Sequence, residues 1–194
     1  IMCWTTNFFI KEANDPSFVS WHQDSTYWGL EPADVLTAWF AMSDAPVESG
    51  AMKFLLGSHK WDQIEHTDTF DSDNLLTRGQ EISIDINEED GIYAPLNAGE
   101  ISLHHIRAAH GSAPNTTNFR RIGLAIRYIP TYVKQLKIRD SATLVRGIDE
   151  YSNFDLEPEP QEDLSVDALA AHKDATERQL ATYYEGTEKA EFRP

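Results

Sequence analysis

Two histidines and one carboxylate set the chemistry of this chain. His22 and Asp24 are one residue apart in Trp21-His22-Gln23-Asp24, and His110 follows 88 residues after His22, in His110-Gly111-Ser112. Two imidazoles and a carboxylate are what one face of an octahedral Fe(II) site needs, and that set leaves the opposite face open for a cosubstrate and oxygen. The pattern implies oxygen-activating chemistry. Spacing alone does not carry it. With 7 histidines and 32 acids in 194 residues, chance supplies about one His-x-acid pair, and the chain has three. The elements that hold each pair must decide between them.

His172 and Asp174 lie in Asp163–Tyr184, where Leu169, His172, Thr176, Leu180 and Tyr183 recur at helical spacing. Residues i and i+2 of a helix point about 200° apart, so this pair cannot close on one ion. His66 and Asp68 sit in the polar run His66-Thr67-Asp68-Thr69-Phe70-Asp71-Ser72-Asp73-Asn74, which reads as a solvated surface loop. His22 and Asp24 are flanked by Phe18, Val19, Trp21, Tyr27 and Trp28, a β-rich, aromatic setting. On an extended backbone i and i+2 project to the same side, as chelation requires.

The third ligand must come from His104, His105 or His110. In a strand through Glu100–Arg107 the first two face opposite ways, so at most one points inward. His110 lies past the strand's end, before Gly111, where the backbone can turn and a ring project; it is the best third ligand. Eleven residues on, Arg121 opens the strand Ile122–Ile129, where a guanidinium can grip a carboxylate through two parallel hydrogen bonds. Arg120 beside it points the other way.

The length suits one well-buried core and is short for two ordinary domains. Apolar content of 41% with 5 Trp, 7 Tyr and 9 Phe argues for a globular protein. No apolar run reaches the ~18 residues of a membrane span. The net charge of −16 argues against nucleic-acid or anionic-membrane partners. Residues 149–194 hold 13 acids and 4 bases, whereas Ile101–Arg139 has no acid and seven bases: Arg107, Arg120, Arg121, Arg127, Lys134, Lys137 and Arg139. A basic island around His110 suits a small anionic cosubstrate. The single cysteine, Cys3, excludes an internal disulfide framework and suits a reducing, cytoplasmic interior. The opening Ile1–Ile10 reads as a strand already under way and has no signal-peptide pattern.

Candidate strands are Met2–Lys11, Val35–Ser43, Met52–Leu56, Ile82–Ile86, Glu100–Arg107 and Ile122–Ile129, bounded by Gly, Pro, Asn and Asp. Short strands with no crossover helices between them favour an antiparallel sandwich or jelly roll over a parallel α/β sheet. After Asp140 the character changes: Glu157-Pro158-Glu159-Pro160 is a stiff acidic linker, and the helix over Asp163–Tyr184 follows. Residues 1–148 thus form the core and 149–194 an acidic extension with one helix packed outside. Asp140–Gly147 reads equally as a lid over the site or as an ordered loop.

Five blocks of sequence resemble the phytanoyl-CoA dioxygenase family: Trp21-His22-Gln23-Asp24; Leu36-Thr37-Ala38-Trp39; Gly57-Ser58-His59-Lys60; His110-Gly111-Ser112-Ala113-Pro114-Asn115-Thr116; and Arg121 with Gly123-Leu124-Ala125-Ile126-Arg127-Tyr128. They run through residues 1–139 in the family's order. The resemblance implies a mainly β double-stranded β-helix (a jelly roll, cupin-like) whose opening segment precedes Ile1. It implies Fe(II) held by His22, Asp24 and His110. It implies 2-oxoglutarate paired with Arg121, assisted by Ser112, with Trp39 against it, and O2 as oxidant. Thr5 and Asn7 are weaker candidates for the cosubstrate pocket. Tyr27, Trp28, His104 and Arg107 are candidates for the substrate side. Halogenating relatives replace the carboxylate ligand with a small residue; Asp24 is kept here, so hydroxylation of a small molecule is expected. The competing reading is a non-catalytic or differently metallated jelly roll.

Overall fold

A strand with a cavity on one face and a second surface on the other must alternate, and Arg121–Ile129 does: Arg121, Gly123, Ala125, Arg127 and Ile129 are buried and the residues between them only half-buried. The computed structural model describes residues 1–187. In chain order its elements are β1 (Met2–Lys11), β2 (Val19–His22), the one-turn helix α1 (Ser25–Trp28), β3 (Leu30–Glu31), β4 (Leu36–Ala41), β5 (Met52–Leu55), β6 (His66–Asp68), β7 (Gln80–Ile82), β8 (Gly91–Ala94), β9 (Ile101–His105), β10 (His110–Ser112), β11 (Arg121–Ile129), β12 (Lys134–Gln135), β13 (Ser141–Leu144), β14 (Asp155–Leu156) and α2 (Val166–Tyr183).

Two sheets face each other. The larger runs β14-β13-β1-β11-β4-β9 and the smaller β2-β10-β5-β8, with β12-β3 and β6-β7 as separate two-stranded pairs. Trp39, Ala41 and Ala125 of the larger sheet pack with Met52 of the smaller, and Phe9 and Phe54 close the same cluster. A second cluster at one end gathers Met2, Trp4, Trp28, Val35, Ile106, Ile129, Val133 and Phe154. This is the jelly roll the strand pattern predicted. Among the described residues no helix is long and apolar enough to cross a membrane.

The expected strands over Met2–Lys11, Val35–Ser43, Met52–Leu56, Glu100–Arg107 and Ile122–Ile129 form within two residues of their bounds. Three expectations change. Ile82–Ile86 is displaced: pairing covers Gln80–Ile82 against β6. His66–Asp68, read as a solvated loop, is that partner strand, with His66 half-buried. Asp140–Gly147 is no lid. Residues Ser141–Leu144 pair with β1 at Met2 and Cys3, and Asp140 lies buried, accepting a hydrogen bond from Trp4 Nε1 at 2.8 Å. A short run of small and β-branched residues beside an open strand edge gains ladder bonds that a lid would forgo.

The segment after residue 148 supplies β14, parallel to β13, as well as α2. Ser165 caps α2, its hydroxyl accepting from Ala168 N. The helix packs outside the sheets, as expected. Tyr183 packs against the Met2 and Trp4 cluster, and the other contacts are polar: Arg178 pairs with Asp155 at 2.8 Å, Thr5 donates to Gln179 Oε1 at 3.2 Å, and Arg78 donates to the carbonyls of Tyr183 and Glu185 at 3.2 Å each.

Candidate metal centre and cosubstrate pocket

Pairing of β2 with β10 sets His22 directly opposite His110, with ring centroids 4.2 Å apart. Both rings are buried, and each uses Nδ1 in the same way. His22 Nδ1 lies 2.9 Å from Ser20 O, and His110 Nδ1 lies 2.9 Å from Ala108 O. A carbonyl can only accept, so Nδ1 carries the hydrogen and Nε2 keeps its lone pair. That is how a protein orients an imidazole for a metal. One ligand atom from each of His22, Asp24 and His110 lies within 4.8 Å of the others, and Asp24 Oδ1 is 3.4 Å from His22 Nε2.

Asp24 reaches this position by a route the extended-strand reading did not foresee. β2 ends at His22, and Asp24 has helical dihedrals (φ −58°, ψ −29°) at the start of α1. The bend is fixed by Gln23, which is fully buried. Its N–H donates to His66 Nε2 at 2.9 Å, its side-chain amide donates to Arg107 O at 3.0 Å, and its Oε1 accepts from Ile64 N at 2.8 Å. His66 can accept only while neutral. Burial pushes it down to about 4, and its Nδ1 donates to Ile64 O at 2.8 Å.

Electrostatics favour a cation here. Burial alone would raise the Asp24 carboxyl, yet the surrounding His104, His22 and His110 hold it well below the usual carboxylate range. Burial, with His22 and His104 nearby, drives His110 well below the usual imidazole value, so its lone pair is free. Two imidazoles and an ionised carboxylate fit a divalent first-row ion. His104 stands apart from this trio: its Nε2 is 3.8 Å from Asp24 Oδ2, too long for a hydrogen bond, and neither ring nitrogen has a hydrogen-bond partner.

At the other end, Lys11 and Arg121 are paired across β1 and β11, 0% and 2% exposed. Burial lowers Arg121 to about 10; burial and the neighbouring Arg121 lower Lys11 to about 7. Among the described residues neither has an acid within ion-pair distance, and Arg121 Nε has no partner. The guanidinium lies 5.3 Å from the Trp39 ring centre. Lys11 Nζ donates to Ser112 Oγ at 2.7 Å and to Ala113 O at 2.5 Å. While charged, the Lys11 ammonium can only donate, which leaves the Ser112 hydroxyl to offer its own hydrogen elsewhere. A buried guanidinium with no acid to balance it, beside a lysine that an anion would keep protonated, makes an anion site.

His22, Asp24, His110, Ser112, Trp39 and Arg121 line one cavity. His104 joins them. The other candidates do not. Thr5 is buried against Gln179, and Asn7 accepts from Arg127. Tyr27 donates to Asp68 beneath the Arg78 guanidinium, and Trp28 packs edge-on to Trp4 at 5.2 Å. The α1 turn rotates both away. Arg107 contributes its carbonyl to Gln23 instead of its guanidinium to the cavity. Lys11, Gln23 and Thr37, whose hydroxyl donates to Asp24 Oδ2 at 3.4 Å, carry no site signal in the sequence, and His66 reads there as part of a surface loop, because their roles depend on cross-strand partners.

The chain is similar to a curated protein of Stutzerimonas stutzeri described as a probable alpha-ketoglutarate-dependent hypophosphite dioxygenase, at 33% identity over 113 residues, 57% of this chain and 39% of that protein. It spans about two-fifths of the length of the curated relatives it matches. Among solved structures it resembles the non-heme monooxygenase ThoJ without metal, with a TM-score of 0.84 and 34% identity over 95% of this chain and 67% of that one. It also resembles the ThoJ–Ni complex, with a TM-score of 0.74 and 32% identity over 92% and 64%. The family model described as Phytanoyl-CoA dioxygenase (PhyH) matches residues 1–123, and the chain belongs to that family.

Proposed function

We propose that His22, Asp24 and His110 hold Fe(II), and that Arg121, with Ser112 and Trp39, holds the far carboxylate of 2-oxoglutarate, making the protein a 2-oxoglutarate-dependent oxygenase of a small molecule. The observation that carries this reading is the shared orientation of the two imidazoles. Each spends Nδ1 on a backbone carbonyl, and each leaves Nε2 beside an ionised, buried carboxylate. The buried Lys11–Arg121 pair without an acid supports an anionic cosubstrate a short way off.

When bound, iron and 2-oxoglutarate supply the oxidising power, with succinate and CO2 released as oxygen is consumed. The chain's own residues do the rest. Ser20 O and Ala108 O fix the ligand rings, and Gln23, pinned by His66, fixes the bend that delivers Asp24. With Lys11 donating to its Oγ, Ser112 would offer its hydrogen to the carboxylate that Arg121 would grip, and Trp39 and Met52 would keep water from it. Because Asp24 keeps its carboxylate, hydroxylation of a C–H bond is the reaction expected, and halogenation should fail.

Succinate release and O2 uptake with Fe(II) and 2-oxoglutarate test the proposal. The wild-type protein should turn over slowly even without its substrate, and His22→Ala and Arg121→Ala should each fall to background. Succinate formation that survives both substitutions contradicts it, and a wild-type protein that forms no succinate favours the non-catalytic jelly roll.

A further inference from the structure

β11 brings a second guanidinium to the same cavity. Arg127 lies six residues beyond Arg121 on the same face, roughly 20 Å further along the strand at ~3.3 Å per residue. It is 5% exposed and lines the cavity with the metal-site residues. Its register partner on β4 is Thr37, whose hydroxyl touches Asp24, so Arg127 stands at the Asp24 end of the cavity, away from Arg121.

Its charge has no counterpart. Nη1 donates to Asn7 Oδ1, Nε has no partner, and among the described residues no carboxylate lies within ion-pair distance. The rings of Trp28 and Phe9, 5.2 and 5.9 Å from the guanidinium, remove water from it and supply no negative charge. A buried cation kept without an acid calls for an anion from outside the chain. Between Arg127 and the opposite end the wall is largely apolar, with Phe9, Val19, Met52 and Leu76.

We propose that Arg127, one arm held by Asn7, binds the carboxylate of the substrate, and that the substrate is a small carboxylic acid with an apolar body. The planar fork of a guanidinium matches a carboxylate, and the apolar wall matches the remainder. This rests on the reading that the Arg121 end takes 2-oxoglutarate.

Calorimetric titration of the protein, loaded anaerobically with Fe(II) and saturating 2-oxoglutarate, tests it with hexanoate and hexanol as probes. Hexanoate should bind at least tenfold more tightly than hexanol. Arg127→Gln should lose at least tenfold in hexanoate affinity while keeping its hexanol and 2-oxoglutarate affinities, and Arg127→Lys, which retains the charge, should keep part of the hexanoate binding. Hexanoate binding no tighter than hexanol, or equal in Arg127→Gln, overturns the proposal, as does hexanoate displacing 2-oxoglutarate. If 2-oxoglutarate itself fails to bind, the Arg121 assignment falls, and the same comparison on Fe(II)-loaded protein still decides the role of Arg127.

Discussion

Lys11 is the residue whose behaviour most sharply reports on the pocket. Fully buried beside Arg121, it titrates near 7 in the folded protein, against ~10.4 for an unfolded lysine. Between those values the unfolded chain holds a proton that the folded chain lacks, so stability must climb as pH rises through that window. Denaturant unfolding of the ligand-free protein from pH 7 to 9.5 should show this climb, and Lys11→Met should flatten it; parallel slopes would mean that Lys11 keeps its proton. Nothing local in Phe9-Ile10-Lys11 signals such a role, because it arises from the register that sets Lys11 against Arg121. His22, Asp24, His110 and Arg121 were legible for the opposite reason: each sits in a short motif whose residue types already suit a ligand or an anion grip. Tyr27 and Trp28 misled, since an extended run was expected where a single helical turn forms.

At the scale of elements, the approach of β4 to β11 is set by Gly123. A Cβ there would lie 1.9 Å from Trp39 Cζ2, so the indole occupies the space a side chain would need. Gly123→Ala must push Trp39 off the Arg121 guanidinium or part the strands. Overpacking of this kind costs about 1–3 kcal/mol. Urea unfolding should record that loss, and 2-oxoglutarate affinity should fall with it; a variant of unchanged stability and affinity would show that Trp39 is not fixed by this contact. The long strands were readable from β-branched and aromatic alternation. Of the two- to four-residue strands only β5 was, because pairs such as β6-β7 and β13-β14 owe their existence to neighbours more than to their own composition. The same limit explains why Asp140–Gly147 reads equally as a lid or a loop: only the open edge of β1 turns part of it into a strand.

For the whole molecule, the sequence's uneven charge finds a partial explanation. The basic run around His110 folds inward as well as outward, placing Arg121 and Arg127 inside a protein of net charge −16. Such buried cations weigh against stability until anions meet them, so ligand binding and folding should be strongly linked. A ligand that binds only the folded state adds about 2.7 kcal/mol at 100 times its dissociation constant, and for a chain of this size each kcal/mol raises the melting temperature by roughly 2–4 °C. Anaerobic thermal unfolding with Fe(II), with 2-oxoglutarate, and with both therefore tests the central claim most directly. The wild-type protein should gain roughly 5–10 °C with both ligands, most of the 2-oxoglutarate effect should require the metal, and His110→Ala should lose it. A 2-oxoglutarate shift that is absent with Fe(II), or a metal shift that His110→Ala retains in full, would contradict the assignment of His22, Asp24 and His110 as one metal centre.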